Sequence, residues 1–449
     1  MRLAAPLLLF GSFFCANPQL FSREAVDEVV PQNALTSTTR FQNGAVFIQR
    51  DLPGSEIVHL EVNVKLGQAD LPENKRAING MTFDLMTMAT KKFPKKKIFE
   101  ITEKYSIGLQ CNGGIEQSGC EIDTVVENFE RAFDLVTSSF KEPLFEAEDI
   151  VLTKQRRTAQ FQQETQNPEQ FVNSLVNTIF YPPGHPYRHI PVDAIAQIKD
   201  ITASDLVNYH KSLLNSHALQ VVYVGPKLSG QHTKMIESFI TSWKGTPLNA
   251  RDIPAPKFDP KSKVVFEHRA IPTAYIRAKF NAPGVTSKDH ATSKVLFEIL
   301  GEELHEEVRT KRSLSYSIGA LTLQLEQGIG ILVASTSKPK ETIATIAEVL
   351  KKVSSTLYSQ EKLNEYKNVF TTSHYLTMES HNSFAGALAA SAMYFNDANL
   401  LYQFPKKIRA VNPADVQKLA KETLTKIRIG IIYDKEKFKP EWTEPLTSL

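Results

Sequence analysis

Val58-His59-Leu60-Glu61-Val62-Asn63-Val64-Lys65 alternates apolar and polar side chains, and Ala274-Tyr275-Ile276-Arg277-Ala278-Lys279-Phe280 repeats the pattern far downstream. A period of two is that of a strand with one face buried. The elements after each strand repeat as well. An apolar helix is predicted over residues 78–90 in the first half and 292–303 in the second. Hairpin regions come next, at 108–122 and 316–335, then amphipathic helices at 126–140 and 340–357. Long polar helices at 148–166 and 360–379 complete the parallel. One order of elements at a nearly constant offset is an internal duplication.

Between the halves, residues 245–260 hold four prolines and few apolar residues, the composition of an extended linker. We therefore divide the chain into a first domain over 24–245, a linker over 246–262 and a second domain over 263–449. Strands followed by helices, without strict βαβ alternation, indicate an α+β class with helices on one face of a mostly antiparallel sheet. A chain of 449 residues also exceeds what one ordinary core accommodates.

The formal net charge of +3 argues against a nucleic-acid partner, which demands a clustered basic surface. The dense basic run Lys91-Lys92-Phe93-Pro94-Lys95-Lys96-Lys97 reads as a solvated helix start. At the N-terminus, Arg2 precedes an apolar stretch from Leu3 to Phe14 and then Cys15-Ala16-Asn17-Pro18. Residues 1–16 read as an export signal, too short for a permanent membrane span, and imply a periplasmic or envelope location. Two forms of processing stand open. Cleavage after Ala16 places bulky Phe14 where a small residue is usual; lipidation at Cys15 would make the chain a lipoprotein. No later segment reaches spanning length. Cys111 and Cys120 flank a hairpin. They form either a disulfide, as an oxidising compartment permits, or two buried reduced thiols.

The order of elements resembles the pitrilysin/insulinase zinc peptidases, the inverzincins, with their mitochondrial-processing-peptidase-like and bacterial branches. Local segments agree: residues 73–80, Pro143-Leu144-Phe145, Tyr181-Pro182-Pro183-Gly184-His185-Pro186-Tyr187 and Ile201-Thr202-Ala203-Ser204-Asp205-Leu206. The resemblance covers nearly all of the chain beyond its first residues. It implies two homologous LuxS/processing-peptidase-like α/β sandwich domains forming half a clamshell.

Active members present His-x-x-Glu-His on one helical face, where the histidines bind zinc and the glutamate activates water. Anchored on Gly80, those positions are Phe83, Met86 and Thr87 here. None serves as imidazole ligand or general base, and no histidine lies between His59 and His185. The family's third ligand, a glutamate, falls on Glu164 by plain counting. It falls on Gln160 by the local anchors Pro143-Leu144-Phe145 and Pro168, which we follow. Glu164 is then a solvated helix residue. No metal is expected in this chain.

The segment Glu306-Glu307-Val308-Arg309-Thr310-Lys311-Arg312-Ser313-Leu314-Ser315-Tyr316 differs. In the family, an arginine and the tyrosine seven positions later bind the substrate backbone and reach the tetrahedral intermediate. Arg309 and Tyr316 match in identity and spacing, and both are donors suited to a developing oxyanion. Ser313 departs from the family in standing where a glycine is common. His185 and His189 lie in a proline-rich segment with a structural reading, and His305-Glu306-Glu307 lacks a second histidine one turn on.

The resemblance thus implies a non-catalytic subunit of a heteromeric zinc peptidase, a pseudoenzyme. A homologous His-x-x-Glu-His-bearing partner would hold the zinc, and peptide substrate would bind by strand addition. The rival reading from the same fold is a structural scaffold or peptide-binding protein with no catalytic role.

Overall fold

The computed structural model describes residues 35–257 and 261–449. Residues 1–16, read above as an export signal, and Cys15 with them, lie outside the described residues. Among those described, no helix is long and apolar enough to cross a membrane.

The first half runs β1 (Thr36–Arg40), β2 (Val46–Asp51), β3 (Ile57–Val64), α1 (Ala77–Met86), α2 (Lys95–Tyr105), β4 (Gly108–Gly113), β5 (Ser118–Val125), α3 (Phe129–Lys141), α4 (Ala147–Gln166), α5 (Pro168–Phe180), α6 (Pro191–Asp200), α7 (Ala203–Leu213), β6 (Leu219–Gly225) and α8 (Gly230–Thr241). The second runs β7 (Lys263–His268), β8 (Ala274–Asn281), α9 (His290–Leu304), β9 (Ser317–Leu323), β10 (Ile329–Thr336), α10 (Pro339–Ser355), α11 (Gln360–Leu376), α12 (His381–Phe395), α13 (Leu400–Ala410), α14 (Pro413–Thr423), β11 (Arg428–Tyr433) and α15 (Glu444–Thr447).

The strands form two sheets, ordered β1-β2-β6-β3-β5-β4 and β7-β11-β8-β10-β9. Setting β1 aside, the two orders superimpose strand for strand. In each, one pair is parallel (β2 with β6, β7 with β11) and the rest are antiparallel. The duplication is thus topological as well as sequential. On β3, Val58, Leu60, Val62 and Val64 enter one core with Phe83 and Met86 of α1, Phe129 and Phe140 of α3, and Ile236 and Phe239 of α8. An equivalent core lies between β8, β10 and β11 and the helices α9, α10 and α14.

The opposite sheet faces are covered by exchange. Helix α12 from the second half lays Phe384, Leu388 and Ala392 on Val46, Ile48, Val222 and Val224 of the first sheet. Reciprocally, α5 from the first half lays Val172 and Leu175 against Ile432 of the second. That contact is close at Gly430, where a Cβ would stand 3.2 Å from the backbone of Val172 and the side chain of Val176. Because each half completes the other's burial, the two sheets are tied by apolar area and not by the linker alone. The linker is strapped down too. Arg251 pairs with Asp70 at 2.8 Å, and His185 Nε2 donates to Pro254 O at 2.9 Å.

Candidate functional site

Helix α1 is shorter than the pattern predicts. It ends at Met86, where the Thr87 hydroxyl donates to Asp84 O at 3.0 Å, and Thr90 then bridges Pro143. Phe83 and Met86 are fully buried in the first core, Phe83 edge-on to Phe140 with ring centroids 6.1 Å apart. The tie from α1 to α4 is ionic. Arg157 grips both Asp84 oxygens, at 2.7 and 2.8 Å, and Gly80 O at 2.9 Å; Arg156 joins Asp84 at 2.8 Å. Gly80 leaves room for that grip: a Cβ there would meet the Arg157 guanidinium at 2.4 Å and push it aside. Thr87 alone of the three positions is partly exposed, and one hydroxyl does not make a metal site.

On α4, Gln160 is exposed. Glu164 is not the solvated residue expected from the sequence. It is half-buried, accepts from Ser174 Oγ at 2.9 Å and faces His189 Nε2 at 3.5 Å. Burial opposes its charge, but His189 and Ser174 outweigh burial and hold the carboxyl below its ordinary value. The physical reason for the correction is the Asn167 cap with Pro168. They turn α5 back beside α4 and bring Ser174 to Glu164.

The Arg309/Tyr316 segment is built to present both side chains outward. The last turn after α9, His305–Thr310, is a π-turn, a widening that recurs at functional sites. Val308 and Leu314 anchor it in the second core. Ser313, with φ 47°, takes the left-handed conformation that explains why glycine suits this position. Thr336 Oγ1 donates to Leu314 O at 2.6 Å, and Ser315 Oγ donates to Ser335 O at 2.7 Å, fixing the loop to β10. Tyr316 is left 83% exposed, with the Arg309 guanidinium 4.8 Å from its ring centroid. Lys311 and Arg312 pair with Glu307 and Glu348, whereas among the described residues Arg309 pairs with no carboxylate. The stack is worth about 0.5–1 kcal/mol at such an exposed place. That is enough to align the two donors without hiding them.

One cluster is not evident from the sequence. On the face of β3 opposite its core residues, His59 Nδ1 lies 2.8 Å from Asp123 Oδ1, and Nε2 lies 3.3 Å from Glu61 Oε1. Burial works against the charged ring, but Asp123 and Glu61 outweigh it and push the pKa up to about 9. The signal lies in the same alternation that identifies the strand, whose polar positions read simply as the uncovered face. Cys111 and Cys120 stand directly opposite in the β4–β5 ladder and are joined as a disulfide.

Residues 200–370 match the Peptidase M16 inactive domain. That stretch relates the chain to the M16 peptidases. Its fold is that of the family's clamshell halves. It is similar to the M16 inactive domain protein from Pseudomonas fluorescens, at 18% identity and TM-score 0.80, over 90% of this chain and 100% of that one. A protease from Helicobacter pylori is similar at 18% identity and TM-score 0.78, over 89% and 99%. The periplasmic protease PqqL from Escherichia coli is similar at 16% identity and TM-score 0.74, over 97% of this chain but 49% of that one. The chain thus spans about half the length of PqqL. Compared by sequence with curated proteins, it finds no match.

Proposed function

We propose that this chain is the non-catalytic subunit of a two-chain M16 peptidase, lending Arg309 and Tyr316 to an active site whose zinc a partner holds. One observation carries the reading: the exposed, mutually stacked Arg309 and Tyr316 coexist with Phe83 and Met86 sealed in the core. A guanidinium and a phenol held in a pinned loop can donate to a peptide carbonyl and to the oxyanion formed from it. Peptide would extend the free edge of a sheet, β4 being one such edge. The Cys111–Cys120 disulfide, the apolar leader and the likeness to a periplasmic protease support export to the periplasm or envelope, with Cys15 as a candidate lipid anchor.

The test is reconstitution with an M16 homologue carrying His-x-x-Glu-His, followed by co-purification and peptide hydrolysis. Tyr316→Phe should lower turnover at least about tenfold, the order of one lost oxyanion donor, while the complex stays intact. Arg309→Ala should weaken substrate binding and turnover together. Unchanged turnover in both variants, in an intact complex, would replace this reading with the scaffold or peptide-binding one.

A further inference from the structure

The polar face of β3 and β5 holds a compact donor set. The ladder places His59 opposite Asp123 and Glu61 opposite Glu121, so four functional side chains occupy two adjacent cross-strand pairs on one face. One ligand atom from each of His59, Glu61 and Glu121 lies within 4.8 Å of the other two. His59 is fully buried and Glu61 nearly so. A tetrahedral ion with bonds of about 2.1 Å separates its donors by about 3.4 Å. Glu121, the partly exposed member, is the side chain that would have to adjust to reach that spacing.

Counting protons sharpens the case. A neutral imidazole has one N–H. Donated from Nδ1 to Asp123, it leaves the Nε2 lone pair facing a Glu61 oxygen at 3.3 Å. Two acceptors at that distance need a positive species between them, either a second proton or a metal ion. The surrounding contacts favour a metal. Carboxylate-bound Nδ1–H is the usual support of a metal-ligating histidine. Asn63 Nδ2 donates to Glu61 Oε2 at 2.6 Å, leaving Oε1 toward the histidine, and Asn382 at the start of α12 donates to Glu121 Oε1 at 3.3 Å. Three carboxylates surround one imidazole, and among the described residues no lysine or arginine forms an ion pair with them.

We propose that His59 Nε2, Glu61 and Glu121 bind a divalent first-row transition ion, zinc by preference, with Asp123 positioning the histidine. A mixed imidazole and carboxylate set suits zinc and disfavours magnesium or calcium, which prefer oxygen alone. The site is separate from the degenerate α1 positions and from the hydrolytic zinc assigned to a partner. It would join β3 to β5 and, through Asn382, to the exchanged helix α12.

The experiment uses the full purified chain without a partner, stripped with chelator and titrated calorimetrically with zinc, with cobalt absorption as a second readout. About one ion per chain is expected. Glu121→Gln, at the most exposed and least fold-critical ligand, should weaken binding at least about tenfold, and Asp123→Asn should do so with unchanged stoichiometry. Glu164→Gln, beside the degenerate positions, should leave binding as in the parent. Absence of saturable zinc binding in the folded parent would overturn the proposal in favour of a protonated histidine. So would parent-like binding in folded Glu121→Gln.

Discussion

Glu116 joins more of this molecule than any sequence pattern suggests, and its removal should weaken the coupling between the two halves. It sits in the β4–β5 turn, 3% exposed. Its carboxylate accepts from the hydroxyls of Tyr187, beyond α5, and Tyr394, on α12. It also accepts from the backbone N–H of Glu326 in the β9–β10 turn, at 3.1 and 3.3 Å. Arg251 of the linker donates to its carbonyl at 2.7 Å. Glu116→Ala leaves the Tyr187 O–H and the Glu326 N–H without an acceptor, although the Tyr187 oxygen still accepts from Gln327 N–H at 3.3 Å, while Tyr394 keeps Gln324 O at 3.3 Å. Two orphaned donors at about 1–3 kcal/mol each, partly offset by no longer burying a charge, give a loss of about 3 kcal/mol. Glu116→Gln keeps one acceptor and should lose about half as much. The two tryptophans allow each half to be followed separately. Trp243 lies in the first core, and Trp442 packs on Phe438 in the second half with centroids 5.7 Å apart. In urea, single-tryptophan versions of the parent should report one shared transition, and Glu116→Ala should split it into two. A single transition, with a loss below about 1 kcal/mol, would refute the view that this carboxylate couples the halves.

Three further outcomes are expected. Burial, with Lys294 and Lys407 nearby, pushes the His290 pKa down to about 4. Between the unfolded value near 6.5 and 4 the unfolded chain therefore binds the extra proton, and stability should fall as pH drops through that window by up to about 3 kcal/mol. Comparing chemical denaturation of the parent and His290→Gln from pH 7 to 4 should show the variant losing this part of the slope. Ser313→Gly should stabilise the chain by about 0.5–1 kcal/mol, since it relieves a left-handed serine at φ 47°, and a thermal melt no higher than the parent's would contradict that. The triple change Phe83→His, Met86→Glu, Thr87→His should yield no hydrolysis and should destabilise the fold by at least about 5 kcal/mol, because two polar groups would enter the core against Phe140. A well-folded, peptide-cleaving triple variant would show that α1 is not oriented as described.

The duplicated order of strands and helices is legible in the sequence because period-two and period-3.6 patterns are local properties of a chain. Helix α1 reads too long because residues 87–90 stay apolar enough to continue the pattern, whereas a hydroxyl bond from Thr87 to Asp84 O ends it. The exchange of α5 and α12 is not legible, since an apolar helix face does not name the sheet it will cover. Glu116 is invisible for a related reason. A carboxylate in a turn reads as solvated, and its partners at Tyr187, Glu326 and Tyr394 are distant in sequence. The Arg309/Tyr316 spacing can be read directly, but that their loop leaves them outward and stacked depends on Val308, Leu314 and Thr336.

The contrast between the two halves has a physical logic. Zinc chemistry needs a polar, partly solvated helix face, and here that face is given over to core packing: Phe83 and Met86 bury completely, and Arg157 with Asp84 holds α1 to α4. A helix fixed in this way has no reason to move, so α1 serves as a rigid wall. The stretch that follows α9, the second half's counterpart of α1, is arranged the opposite way. There the backbone accepts a π-turn and a left-handed serine, both unfavourable locally, and the result is an aromatic ring 83% exposed to solvent. Local strain of this kind persists only where surrounding structure over-determines it. Core anchors on either side and hydroxyl bonds to β10 provide that determination. Packing of the half alone does not require Tyr316 to stand outside it, and the proposed function supplies a reason for that position: a substrate held at a partner's active site.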